Sequence, residues 1–303
     1  MTAFLFCENP LNRQCVDEEY QSEYLATQDH RLPVYLFNFE TLTNDHDAAK
    51  SVRKIPHSDS LQTMLYRGWM LKPSDYTLLY DALLEKNYRL INTPREYQNC
   101  HYLPDSLAFI EQWTPRTVWL KLDNRQLDER EMFHLLKEFG TSPLIVKDYV
   151  KSQKHNWDSA CYIPDASDHN RVREVVATFL DWQGDDLNEG LVFREYVPLE
   201  SLTMHSKSGM PLKQEYRLFF LAGNLIACYD YWEEGDYSRL DPPPLEMFIE
   251  IARQVDSRFF TMDIAKTQNG EWIIIELGDA QVAGLPDKVE RNHFYERLSF
   301  HES

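Results

Sequence analysis

The chain has 303 residues, 43% apolar and 13% aromatic, enough to pack cores in two domains. Its formal net charge of −18 argues against a large surface for long nucleic acids, which need a basic face. The five cysteines are scattered without a CxxC pair, the start MTAFLFCENP lacks a basic n-region, and no apolar run approaches a membrane span; the expectation is a cytoplasmic chain with no zinc site, no disulfide framework and no membrane partner.

Ala3–Cys7 reads as an apolar strand. Asp17, Glu18 and Glu19 open a helix to about Asp29, and Leu32–Phe37 reads as the next strand, a β-α-β start of parallel α/β type. No GxGxxG accompanies it, so a dinucleotide is not implied. Leu61–Met70 ends in YRGWM. Arg67, among aromatics and beside Gly68, has two readings: a structural cation–π contact or a ligand contact. A helix from Ser74 or Asp75 to about Lys86 precedes a strand at Tyr88–Asn92, and Thr93-Pro94 begins a loop. Within YQNCHYLP, His101 is either a hydrogen-bonded structural histidine, the commoner case, or a substrate contact. Thr114-Pro115 reads as a domain boundary.

Beyond it come a strand, Val118–Leu122, and a helix from about Asp128 to Phe139 stopped by Gly140. Pro143–Val150, PLIVKDYV, is strongly β-forming, and a lysine on a buried strand is costly unless paired, so Lys147 reads as functional. Lys151 and Lys154 extend the positive stretch, although a solvated edge explains them equally simply. A helix at Asp168–Trp182 leads to the strand GLVFREYV, which stops at Pro198. Leu199–Lys213 shows no periodicity and reads as a loop able to fold over a ligand. Glu215–Trp232 reads as a hairpin turning at Gly223-Asn224, with Arg217 opposite Asp230. That arginine either makes a cross-strand ion pair or points its fork at a phosphate. A helix begins after Pro242-Pro243-Pro244.

Thr261–Pro286 reads as a second hairpin. Asn269-Gly270 is a strong two-residue turn signal and sets Asp263 opposite Glu276. Facing carboxylates among isoleucines repel, and Mg²⁺, which takes one or two carboxylates together with phosphate oxygens, is a natural counter-charge. A register slipped by one residue would instead put the two acids on opposite faces. Lysines and an arginine for phosphates, with acids for Mg²⁺, make a nucleotide phosphate site without a P-loop.

The order of LFCENPLN, YRGWMLKP, NCHYLP, VKDYVKS, FREYVPLE, EYRLFFLAG, MDIA and IIELGDAQVAGLP resembles the ATP-grasp superfamily over nearly the full length. More closely it is similar to a divergent clade of bacterial and phage proteins related to a eukaryotic assembly factor for a translation initiation factor. The resemblance implies an α+β ATP-grasp fold over residues 116–303, in lobes 116–195 and 196–303, preceded by a small α/β acceptor-side domain over 1–115. It implies ATP and Mg²⁺ as cofactors. Lys147 would hold the α- and β-phosphates, with Lys151 in the phosphate-proximal segment. Glu195, Tyr196 and Val197 would form the adenine hinge, Glu200 would reach the ribose, and Arg217 would neutralise the γ-phosphate or an acyl-phosphate. Asp263 and Glu276 would hold Mg²⁺. Many relatives have Asn two residues after that Glu; here the position is Gly278, and Asp279 becomes the third ligand. Arg67 and His101 would belong to the acceptor side. The implied activity is an ADP-forming carboxylate–amine ligase with a peptide or protein among its acceptors. An ATP-binding assembly factor and a small-molecule phosphotransferase are the alternatives.

Overall fold

The computed structural model describes residues 2–286 and 288–300. It divides into two compact units. The first comprises residues 1–100, 215–263 and 277–303, and the second 101–214 and 264–276. Among the described residues no helix is long and apolar enough to cross a membrane.

The first unit opens with strands β1 (Ala3–Cys7), β2 (Val34–Phe37), β3 (Gln62–Arg67) and β4 (Tyr88–Leu90), all parallel, in the order β2-β1-β3-β4. Every residue of β1 is buried, because a central parallel strand is covered on both faces. Leu5, Cys7, Met64 and Tyr66 pack beneath the helix Pro73–Leu84 through Tyr76, Leu79 and Leu83. Phe4, Phe6 and Leu65 face the other way, toward Ala26 of the helix Gln21–Asp29 and Phe294, Tyr295 and Leu298 of the helix Arg291–Phe300. Gly68 is required where β3 ends, since a Cβ there would lie within 2.6 Å of the Tyr66 ring. Two short helices follow β2, Phe39–Asp45 capped by Asn38 and Ala48–Ser51 capped by Asp47. The YQNCHYLP region, read as a loop, is largely helical: Pro94–His101 and then Leu103–Ile110.

The second unit contains β5 (Thr117–Lys121), β6 (Leu144–Lys147), β7 (Tyr162–Ile163) and β8 (Gly190–Glu195), antiparallel in the order β5-β8-β6-β7. The helices Glu129–Leu136 and His169–Gln183 cover it, burying Met132, Leu136, Val172, Val175, Val176 and Phe179 against Leu144, Val146, Leu191 and Phe193. Asp128 and Asp168 cap those helices with side-chain hydrogen bonds. The stretch Leu199–Lys213 corrects a sequence expectation. It holds an antiparallel hairpin, β9 (Ser201–Met204) with β10 (Pro211–Lys213). Its β9 residues are mostly exposed, so no apolar alternation marked it.

The remaining sheet has the order β12-β11-β13-β14 and is built from β11 (Glu215–Leu221), β12 (Asn224–Asp230), β13 (Phe259–Lys266) and β14 (Trp272–Asp279). The first hairpin turns at Ala222-Gly223, both at positive φ (48° and 76°), one residue earlier than expected. Arg217 therefore pairs with Tyr229, and Asp230 faces Tyr216. The second hairpin closes differently too. Thr267 N donates to Glu271 O at 2.8 Å and Gly270 N to Thr267 O at 2.9 Å, with Gly270 at φ +85°, so the loop is three residues, not two. At the far end Ala280 N donates to Phe259 O, the register a two-residue turn would have set. β14 thus carries one more residue than β13 between these points. Ile275 and Glu276 are consecutive half-buried residues where burial should alternate, which locates the bulge.

Candidate functional site

In the second unit Lys147 ends β6 and is buried, and its Nζ lies 3.0 Å from Glu276 Oε2. The Glu276 side chain is 37% exposed. Lys151 follows on an exposed stretch. His101 closes the helix Pro94–His101 and is buried. Burial, reinforced by the Lys151 charge and opposed by Glu276, lowers its pKa to about 4, so the imidazole is neutral at physiological pH. The sequence reading missed Arg194. It lies inside FREYV on β8, buried, with Nη2 donating to Ile274 O at 3.0 Å and Nη1 to Ile275 O. Burial lowers its pKa to about 10, partly offset by Glu276. An arginine in the middle of an otherwise apolar strand was the available signal.

The predicted hinge also lies in this unit. Glu195 ends β8 and accepts from Arg116 Nη2 at 3.2 Å, while Tyr196 N donates to Pro143 O at 2.9 Å. The Tyr196 ring sits 5.2 Å from Tyr162 and 5.8 Å from Trp157, which themselves stack at 5.4 Å. This aromatic cluster was not legible from spacing. Val197 is half-buried. Glu200 N donates to Lys266 O at 2.8 Å, and Glu200 O accepts from Gln214 N at 3.0 Å, so the chain after the hinge is held as extended backbone.

The first unit holds the other predicted residues. Arg217 on β11 meets Asp263 on β13 as a fork, Nε to Oδ1 at 2.8 Å and Nη2 to Oδ2 at 2.7 Å. Such bidentate contacts are the strong form of this pair. Asp279 is 1% exposed. Its Oδ1 accepts from Gln281 N at 2.9 Å and Gln281 Nε2 at 3.1 Å, its Oδ2 from Asn92 Nδ2, and Gln281 Nε2 also reaches Tyr76 Oη at 2.8 Å. Burial lifts the Asp279 pKa to about 7, against the pull of those hydrogen bonds. Arg67 corrects the acceptor-side expectation. It is fully buried, grips Glu23 at 2.7 and 2.9 Å, and donates to the carbonyls of Ala280 and Ala283. Tyr295 Oη adds a 2.6 Å bond to the same Glu23. Burial disfavours the Arg67 charge, but Glu23 more than offsets it and raises its pKa. This arginine locks helices to a sheet end.

Among the described residues no group of three or more His, Cys, Asp or Glu side chains is arranged to hold a metal ion. Mg²⁺ needs only one or two carboxylates beside water and phosphate oxygens, so Asp263 and Glu276, each balanced by a cation, suit it. Asp279 suits it poorly, since both its oxygens already accept from Asn92 and Gln281 and burial favours its protonated form.

The fold is that of the ATP-grasp proteins. Residues 138–298, more than half of the chain, match the family described as an ATP-grasp domain, clade family 3, and the chain belongs to that family. An ATP-grasp ligase, PsnB, complexed with minimal precursor, Mg and ADP, aligns with a TM-score of 0.56 at 12% identity, over 98% of this chain and 97% of that one. The RimK domain ATP-grasp protein of Sphaerobacter thermophilus aligns at 0.56 and 12%, over 94% and 92%. D-alanine–D-alanine ligase of Bacillus anthracis aligns at 0.56 and 10%, over 99% and 96%. At these identities the likeness is one of fold. No curated protein matches the sequence.

Proposed function

We propose that this protein is an ATP- and Mg²⁺-dependent ligase that joins a carboxylate to an amine. One observation carries the reading. Each acid assigned to Mg²⁺ is already held by a cation assigned to phosphate, Glu276 by Lys147 and Asp263 by Arg217. Nucleotide phosphates give those cations a second partner, and the metal gives the acids one. Family membership supports the same direction.

In this reading Lys147 and Lys151 bind phosphate, Glu195, Tyr196 and Val197 carry the adenine hinge, and Glu200 reaches the ribose. Asp263 and Glu276 hold Mg²⁺, which neutralises charge on the transferring phosphoryl group. Asp279 acts instead by fixing the chain after β14, and His101 stands on the acceptor side as a neutral donor or acceptor. A carboxylate attacks the γ-phosphorus and ADP leaves. An amine then displaces phosphate from the acyl-phosphate, giving an amide. Arg217 stabilises the transferring charge. Residues 1–115 serve as the acceptor-side domain and 116–303 as the ATP-grasp domain. PsnB is described with a precursor peptide, and MdnC of Microcystis aeruginosa, another structural neighbour, as a macrocyclase bound to its precursor peptide. A peptide is therefore the acceptor or donor to try first.

The test is incubation with ATP, Mg²⁺ and pools of amino acids and peptides, reading ADP and product mass. Condensed product with one ADP per bond supports the ligase. Tight ATP binding without ADP from any pool identifies a binding or assembly factor, and a phosphorylated product without condensation a phosphotransferase.

A further inference from the structure

We infer that Asp148 is a positioning residue that fixes the backbone between Lys147 and Lys151, an inference that rests on the nucleotide reading of those lysines. An acid between two lysines looks like their ion-pair partner. The geometry is different. Lys147 turns to Glu276, and among the described residues Asp148 forms no salt bridge.

The Asp148 carboxylate is fully buried and is held by N–H donors alone. Its Oδ1 accepts from Val150 N at 2.7 Å and from Lys151 N. Its Oδ2 accepts from Gln183 Nε2 at 2.8 Å, Asn188 N at 3.1 Å and Asn188 Nδ2 at 2.9 Å. The Asp148 N–H donates to Lys151 O at 2.9 Å, which closes the turn from the other side. One oxygen therefore shapes the lysine segment. The other ties it to the end of the helix His169–Gln183 and to the residues just before β8.

The support continues one layer out. Gln183 Oε1 accepts from Gln153 Nε2 at 2.7 Å, just past the second lysine. Tyr149 O accepts from Leu103 N at 2.9 Å. A buried anion without a cation is costly unless its lone pairs are filled, and here several N–H groups fill them. Such a clamp fixes the separation of two cations along the chain, which a loop held by water would not do. Two-point phosphate binding depends on that separation, because a displacement of about 1 Å can cost orders of magnitude.

Asp148→Asn is the near-isosteric test, because it sets an amide against donors that now meet an oxygen. Hydrogen exchange without nucleotide should show the Val150 and Lys151 amides losing at least about tenfold in protection while β6 and β8 keep theirs. Titration with Mg-ATP should show affinity falling about tenfold, and no further fall when Asp148→Asn is added to Lys151→Gln. Unchanged protection at Val150 and Lys151, wild-type affinity in folded Asp148→Asn, or losses that multiply with Lys151→Gln would each overturn the inference. If Asp148→Asn does not fold, Asn188→Ala, which removes one donor to Oδ2, is read by the same two measurements and should move both in the same direction by less. Should the wild-type protein bind no nucleotide, the nucleotide reading fails while the exchange data still decide whether the clamp exists.

Discussion

Arg217 donates to both carboxylate oxygens of Asp263, at 2.8 and 2.7 Å, with its guanidinium 4.9 Å from the centre of the Tyr231 ring. Asp263 is 3% exposed, so this guanidinium compensates a charge that water does not reach. Arg217→Met should lower stability by about 3 kcal/mol in urea denaturation, because it strands a buried anion. Arg217→Lys should cost less, keeping the charge but losing the fork. Millimolar Mg²⁺ should then raise the Tm of Arg217→Met more than that of the wild type. An Arg217→Met protein indifferent to Mg²⁺ would count against Asp263 as a metal ligand.

The Lys147–Glu276 pair predicts a different pattern. Glu276 is partly exposed, so Glu276→Gln should leave the ligand-free Tm within a degree or two of wild type. Binding should suffer instead. Ligand at a hundred times its Kd stabilises a protein by about 2.7 kcal/mol, and that Mg-ATP increment should vanish in Glu276→Gln. A full thermal shift in the mutant would remove Glu276 from the metal site.

Arg67 is expected to act on stability alone. Arg67→Met leaves Glu23 buried beside Tyr295 and should cost about 3 to 5 kcal/mol. Arg67→Lys should recover only part of it, since one ammonium cannot reach Glu23, Ala280 O and Ala283 O together. If the variant still folds, its affinity for ATP per folded molecule should match wild type, measured by calorimetry. A folded Arg67→Met with weakened ATP binding would return Arg67 to the binding machinery.

Sequence pattern revealed whatever depends on local chemistry. The unbroken apolar run of β1 announced a covered parallel strand, and the lysine at the end of PLIVKDYV was costly enough to demand a partner, which proved to be Glu276. Register was harder. Ala222 adopts positive φ without being glycine, and that one residue moved Arg217 from Asp230 to Tyr229. The bulge in β14 left no mark in residue types either. Asp148 and Arg194 were unreadable for another reason: their partners are backbone groups of residues distant in sequence, and every residue supplies such groups. Arg67 looked like a contact for a ligand because its carboxylate partner, Glu23, lies on another helix.

His101 gives the last prediction, one of pH. Its pKa falls from an ordinary 6.5 to about 4, chiefly by burial. Between those values the unfolded chain binds a proton that the native state refuses, so unfolding takes up protons and stability rises with pH. The contribution of neutral His101 is complete above about pH 6.5 and is lost as pH falls from there toward 4. Asp279 titrates with the opposite sign. Its native pKa of about 7 exceeds the ordinary 3.8, so its protonated form favours the fold at low pH and that gain fades as pH rises toward 7. A pH series of urea melts on wild type alone would blend the two. His101→Phe separates them: the difference in stability between wild type and variant should shrink steadily from pH 6.5 to 4 and stay flat from pH 7 to 8.5. A difference that is level across the acid range would mean the imidazole is not buried as a neutral group.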